Sequence, residues 1–330
     1  MLTFVSSPET FTVEEIPAYP PTGEGSHLFL WIEKRDLTTF EAIARIARTL
    51  GVAPRDVGYA GLKDRHALTR QQLSVPGSDP ARALEIAAPD LRVLRASPHP
   101  HKLRLGHLDG NRFEVTLAGE ASAEEREALR ARFAAAVARG VPNRFGAQRF
   151  GQRGDNAAAG LALLRGERRE RDKRRRRLLL SALQSAVFNR ALELRAVAGP
   201  LAEVRAGDVL QKTDSGGLFV TSDTEVDQAR VDRGEVVPTG PLPGGREIEP
   251  PPDTPARALD DAAIAAVGAT REDFARAGRE LPGARRAVLL KPTDATIEIP
   301  PAPEGPIRVR FTLRAGAYAT VFVDSLLDSG

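Results

Sequence analysis

Gly58-Tyr59-Ala60-Gly61-Leu62-Lys63-Asp64-Arg65-His66-Ala67 sets four ionisable side chains in a row after a glycine turn. Gly61 permits a positive φ or the close approach of a ligand to the backbone. Asp64 stands between Lys63 and Arg65, and neighbouring cations favour its ionised form. A carboxylate among phosphate-binding cations repels a phosphate-bearing ligand, so its presence asks for a chemical role. The alternative is a turn held by Asp64 salt bridges. A second segment, Pro142-Asn143-Arg144-Phe145-Gly146-Ala147-Gln148-Arg149-Phe150-Gly151, interleaves aromatic, cationic and amide side chains. Aromatic rings can stack on an unstacked base, Arg can hold a phosphate, and Asn or Gln can read a base edge. The alternative is a core Phe pair in a loop between helices. In a third, Leu313-Arg314-Ala315-Gly316-Ala317-Tyr318-Ala319-Thr320, a strand enters a small-residue turn and then a helix. The first N–H groups of that helix could hold an anion, or the segment is an ordinary strand–helix turn.

These segments sit in a chain of 330 residues with 47 Lys+Arg against 44 Asp+Glu, a formal charge of +3, and 42% hydrophobic residues. That composition fits a folded protein of about two domains. The charge is uneven. Arg168 to Arg177 reads RRERDKRRRR, eight basic residues against two acidic, and Arg92, Arg95, Lys102 and Arg104 form a looser cluster. Such runs point to a nucleic-acid partner, with a solvated helix start or linker as the alternative. Cys is absent, which removes disulfides, thiolate metal sites, Fe–S clusters and Cys nucleophiles. None of the five His falls in an H-E-x-x-H pattern, so no metal is expected. His99-Pro100-His101 reads as a solvated loop. No stretch is long and apolar enough to span a membrane, and Met1 to Ser7 lacks the pattern of a secretory signal. A cytoplasmic protein, monomeric, is the expectation.

Several elements are legible around the segments. Phe11 to Ile16 and His27 to Ile32 alternate as strands. Phe40, Ile43, Ala47 and Leu50 mark a helix with Thr38 or Thr39 as cap and Gly51 as its end. Asp56 to Tyr59, Leu68 to Val75, Leu91 to Leu94 and Asn111 to Leu117 are further strands. Ser122 and Glu125 have capping-box spacing before a helix whose buried face carries Leu129, Phe133 and Val137. Asn156 to Leu164 and Leu178 to Val197 read as helices, and Val209 to Thr221 as a hairpin. Val237 to Pro255 reads as a long loop and Leu259 to Val267 as a helix. Ala287 to Leu290, Thr296 to Ile299 and Ile307 to Leu313 return to strand character before a closing helix from Ala319. Without regular βαβ alternation, the pattern predicts an α+β fold.

GYAGLKDRHA at 58–67, KLRLGHLDGNRF at 102–113, NRFGAQRFG at 143–151, LSALQSAVFNRAL at 180–192 and LRAGAYATV at 313–321 occur in this order. In them the chain resembles the TruD family of tRNA pseudouridine synthases over almost its whole length. The resemblance implies a pseudouridine-synthase-like fold, a mixed, mainly antiparallel sheet with flanking helices. The catalytic domain would be discontinuous, 1–168 with 292–330, and would carry an inserted α+β domain at 169–291. It further implies conversion of uridine-13 of tRNA to pseudouridine, with Asp64 as the catalytic carboxylate. Phe11, Asn143, Phe145 and Tyr318 would line the uracil pocket. Val5 and Thr10 depart from the family pattern at the N-terminal contact, where a basic residue and an Asp are common.

The implied chemistry suits the residues. Pseudouridylation breaks the N1–C1′ bond, turns the uracil and joins C5 to C1′. Substrate and product are isomers, so no redox cofactor, ATP or metal is needed. Cleavage calls for an anion beside a developing oxocarbenium, as in glycosidases. Asp64 can act as nucleophile or as base, on a nucleotide taken out of its stack. Lys63, Arg149 and the 168–177 run would hold phosphates. The competing reading is a non-catalytic RNA-binding or RNA-chaperone protein on the same scaffold.

Overall fold

The alternation that begins at Phe11 builds a nine-stranded sheet, and the helical periods that follow cover one of its faces. The computed structural model describes residues 2–300 and 305–327. Its chain runs β1 (Phe11–Pro17), β2 (His27–Arg35), α1 (Thr39–Leu50), β3 (Gly58–Tyr59), β4 (Leu68–Pro76), α2 (Pro80–Leu84), β5 (Ala87–Ala88), β6 (Leu91–His99), β7 (Leu108–Leu117) and α3 (Ala123–Arg139). Then come β8 (Val141–Pro142), α4 (Asn156–Leu164), α5 (Lys173–Val197), β9 (Val209–Lys212), β10 (Leu218–Val220), α6 (Thr224–Asp232) and β11 (Val236–Leu242). After α7 (Pro255–Ala266), α8 (Arg271–Ala277), β12 (Ala284–Ala287) and β13 (Leu289–Leu290), the chain ends with β14 (Thr293–Glu298), β15 (Ile307–Arg314) and α9 (Ala319–Leu327). By contact density it forms two units, 1–139 with 291–330 and 140–290. The border falls before α4 because α4 packs along α5. The family-based division drew it later, at 168/169, between these two helices.

In the first unit the strand order is β14-β15-β7-β1-β4-β2-β6-β5, with β3 beside β4. Only β1 and β4, near the centre, run parallel; the other pairings are antiparallel. This is the α+β, mainly antiparallel architecture expected. Strand alternation puts Leu28, Leu30, Ile32, Leu73 and Val75 under α1. Thr38 caps α1 in a capping box with Glu41, and Gly51, at φ +72°, ends it. Phe40, assigned to the buried side, is 55% exposed; Ala42, Ile43, Ile46 and Ala47 make the contact instead. The other half of the same face carries Phe113 and Phe311, 5.3 Å apart, and the ring of Phe322 from α9 lies 4.6 Å from that of Phe311. Between these two apolar halves the face turns polar. Glu15, Lys34, Thr69 and Gln71 point inward and are all buried.

The opposite face holds charges of alternating sign. Glu298 of β14, Arg310 of β15 and Glu114 of β7 form one series. Arg112 of β7, Glu14 of β1, Arg70 of β4, Glu33 of β2 and Arg92 of β6 form another. Cross-strand pairs of opposite charge each stabilise a sheet modestly.

In the second unit a four-stranded sheet has the order β10-β9-β11-β12, and β8 pairs with β13. Leu163, Leu179, Leu183, Val187, Ala263, Ile264 and Phe274 form its helical core. Gly160 lets α4 approach α5 closely, since a Cβ there would meet the Leu179 carbonyl. The Val237–Pro255 loop is corrected in its first part, where β11 runs through Pro238 and Pro241. The strand pairs with β9 over 236–238 and with β12 over 239–242, so each proline lies where pairing is one-sided. The basic run is not a linker throughout: α5 begins at Lys173, capped by Asp172. Neither α6 nor α8 was anticipated.

Candidate active site

The turn that carries Asp64 is built from buried polar groups on the middle of the sheet. The Lys63 amide donates to Thr39 Oγ1 at 3.0 Å, and the Thr39 hydroxyl bonds Gln71 Oε1 at 3.0 Å. Gln71 Nε2 in turn donates to the Gly61 carbonyl at 3.2 Å. The Lys63 side chain points inward, and its Nζ meets Glu15 Oε2 at 2.5 Å. The other Glu15 oxygen accepts the Gln72 amide at 3.0 Å. Lys34 reaches the Asp64 carbonyl at 2.8 Å. Asp64 itself is exposed, as are Arg65 and His66. No ion pair fastens the Asp64 carboxylate among the described residues, so the reading of a turn held by Asp64 salt bridges fails. The turn is held from beneath, and the carboxylate is left facing outward on a fixed backbone.

Lys63 therefore departs from its expected role. Only 4% of its side chain is exposed and its ammonium is committed to Glu15, so it secures the turn rather than meeting a phosphate. Phe11 is 4% exposed and lies in the aromatic core, with its ring stacked on Phe113 at 6.1 Å. Tyr318 is half-buried just ahead of α9, after a turn in which Gly316 adopts φ +84°. Val5 is 69% exposed, and its carbonyl accepts the Thr10 hydroxyl at 2.5 Å. The contact accounts for the Thr10 hydroxyl; Val5 supplies only its main-chain carbonyl, and nothing in the structure explains its side chain. His99, expected in a solvated loop, ends β6 and is buried against Phe29 at 4.3 Å.

Within the second unit, Asn143, Phe145 and Arg149 share one neighbourhood. The Asn143 amide donates from Nδ2 to the Ala287 carbonyl at 2.9 Å and accepts at Oδ1 from Arg286 at 2.6 Å. The Arg286 guanidinium lies 4.3 Å from the centre of the Phe145 ring. Phe145 packs edge-on to Phe188 at 5.6 Å, and Asn189 of α5 grips both its backbone groups. Arg149 bonds Ser185 at 3.2 Å and also Ser181, both on α5. A guanidinium over an aromatic face is attracted by the ring quadrupole. Asn143 and Phe145 are thus oriented as a pair by one cation. At the start of α5, Arg176 pairs with Glu280 and Arg175 with Glu170, while Arg174 and Arg177 are exposed with no ion pair among the described residues.

Lys34, Glu15, Gln71 and Arg286 were missed from sequence. Lys34 had a signal: it continues the inward alternation of Leu28, Leu30 and Ile32 if the strand runs two residues past Ile32. Asn189 and the two serines lie within the 180–192 segment that carried part of the resemblance. Arg286 has no local signal, because its partners are remote in sequence.

No group of three or more acidic or histidine side chains among the described residues is placed to hold a metal. No helix among them is long and apolar enough to cross a membrane. The profile of the family tRNA pseudouridine synthase D (TruD) matches residues 3–173 and 169–325. The tRNA pseudouridine synthase D of Anaeromyxobacter sp. (strain Fw109-5) is 44% identical over 98% of this chain and 92% of its own length. That of Methylococcus capsulatus is 41% identical over 98% and 90%. A crystal structure from Methanosarcina mazei, provisionally described as a tRNA pseudouridine synthase D, matches 96% of this chain and 91% of its own with a TM-score of 0.76 at 24% identity. The fold is thus shared with that structure, and by full-length sequence similarity the chain belongs to the tRNA pseudouridine synthase D family of isomerases.

Proposed function

We propose that this protein isomerises uridine-13 of tRNA to pseudouridine, with Asp64 as the carboxylate acting at the sugar of a flipped-out nucleotide. The observation that carries the reading is the contrast within one turn. The Gly61 and Asp64 carbonyls, the Lys63 amide and the Lys63 ammonium are tied down by buried groups, while the carboxylate stays exposed. A fixed anion beside C1′ stabilises an oxocarbenium as the N1–C1′ bond breaks, or takes that carbon as a nucleophile. When C5 bonds C1′, C5 loses its proton and N1 gains one, and Asp64 is the carboxylate offered for that transfer. The Asn143–Phe145 pair, fixed by Arg286, would shape the place of the base. Arg149 and the exposed arginines of 174–177 would neutralise phosphates. The protein would act as a monomer in the cytoplasm.

The test is single-turnover conversion of a uridine-13 tRNA transcript by wild type and Asp64→Asn, without added metal or nucleotide. Wild type is expected to form pseudouridine at that position, and Asp64→Asn to bind tRNA without converting it. Full conversion by Asp64→Asn refutes the assignment. Binding without conversion by wild type would favour the RNA-binding reading.

A further inference from the structure

Lys34 is fully buried on β2, in a position where alternation otherwise supplies Leu28, Leu30 and Ile32. A buried ammonium is far less favourable there than a methionine of similar length, unless its donors are used. They are. Nζ donates to the Leu37 carbonyl at 2.5 Å and to the Asp64 carbonyl at 2.8 Å. Leu37 immediately precedes Thr38, the cap of α1. One cation thus ties the start of α1 to the residue that bears the exposed carboxylate. Among the described residues no carboxylate lies within ion-pair distance of it, so a simple buried salt bridge does not account for the lysine.

We propose that Lys34 is a positioning residue for the reaction, holding Asp64 by its main chain and setting a positive charge beneath its carboxylate. This deepens the proposed function and rests on the reading of Asp64 as the reacting group. The carbonyl and the carboxylate belong to the same residue, so a shift of the peptide moves the anion relative to the sugar. A lysine serves where an apolar side chain cannot because its donors hold two carbonyls at once. Burial disfavours the ammonium most and Lys63 adds repulsion, together outweighing the attraction of Asp64 and Glu41. The pKa of Lys34 is lowered to about 8. Above that value the charge beneath the turn is lost and the hold weakens.

The experiment compares wild type, Lys34→Met, Lys34→Arg, Asp64→Asn and Ile46→Ala. Ile46→Ala opens a cavity under α1 without touching the turn. Single-turnover rate on a uridine-13 tRNA transcript, tRNA affinity and thermal midpoint are measured for each. Lys34→Met is expected to slow the rate by roughly tenfold to a hundredfold, the scale of a reacting group displaced by an ångström or less. Its tRNA affinity should be unchanged, and Ile46→Ala should keep its rate at comparable destabilisation. Wild type should slow as pH rises through about 8, and Lys34→Arg, which stays charged, should lose that decline even if Lys34→Met does not fold. Lys34→Met at wild-type rate with Asp64→Asn inactive would overturn the inference alone. So would equal rate losses in Lys34→Met and Ile46→Ala, or an unchanged alkaline decline in Lys34→Arg. A fully active Asp64→Asn would remove the reading of Asp64 and this inference with it.

Discussion

Replacing Glu15 with Gln tests whether the turn is held from beneath. Glu15 presents two oxygens to two donors, Lys63 Nζ at 2.5 Å and the Gln72 amide at 3.0 Å. Gln offers one oxygen and one NH2, so one of those donors faces another donor whichever way the amide is turned. The charge term is larger. At an effective dielectric of about 20, unit charges 2.5 Å apart attract by roughly 6–7 kcal/mol. Part of this is offset by desolvation, since the Glu15 side chain is 0% and that of Lys63 4% exposed. Removing one partner of such a pair costs about 3–5 kcal/mol, because the other is left buried and uncompensated. Glu15→Gln should therefore lose about that much, while Glu15→Met with Lys63→Met should lose clearly less. The chain has a single tryptophan, Trp31 on β2, so its fluorescence during urea unfolding follows the unit that contains the pair. A loss under about 1 kcal/mol for Glu15→Gln, the scale of an exposed pair, would refute the argument. A double variant that loses as much as the two singles together would also do so.

Two further outcomes are expected. Arg286→Met removes the cation over Phe145 and the donor to Asn143 Oδ1. It should slow single-turnover conversion by roughly tenfold, about the worth of one charge-assisted hydrogen bond, with little effect on tRNA affinity; an unchanged rate in the folded variant would separate Arg286 from the reaction. Glu247, with 2% of its side chain exposed, has its pKa pushed up to about 8 by burial and by Glu249 and Asp260, against Arg285 and Arg271. The stability its neutral form brings is complete below the usual carboxylate value and drains as pH rises to about 8. The slope approaches about 1.4 kcal/mol per pH unit within that window. Glu247→Gln should flatten stability against pH between about 5 and 8, and identical denaturation profiles for the two proteins across that range would contradict the assignment.

Much of this is legible in the sequence. Local signals carried furthest: Thr38 as one of the two caps offered for α1, the Ser122/Glu125 box, Gly51, and the extent of α4 agree with the structure. Polar burial did not show. Lys34 and Glu15 look like surface residues by type; each lies on the inward alternation of its strand, but that outweighs their charge only once a sheet brings β1, β2 and β4 together. Lys63 misled for the same reason, since its partner lies 48 positions away. β11 was hidden by its prolines, which suggest a loop until the switch of pairing partner is seen. The roles of Phe11, Asn143 and Tyr318 came from family likeness, and the fold adds what surrounds each rather than what each does.

The ladder of alternating charges on the outer face of the sheet also bears on how a polyanion finds the protein. A row in which every arginine touches a glutamate is a string of short dipoles, and its field cancels within a few ångströms. At a Debye length of about 8 Å, an approaching phosphate hardly senses Arg70, Arg92, Arg112 or Arg310. It senses arginines with no ion pair among the described residues, such as Arg174 and Arg177. A formal charge of +3 therefore describes the encounter poorly. Paired charges set the background, and unpaired ones give the approach its direction.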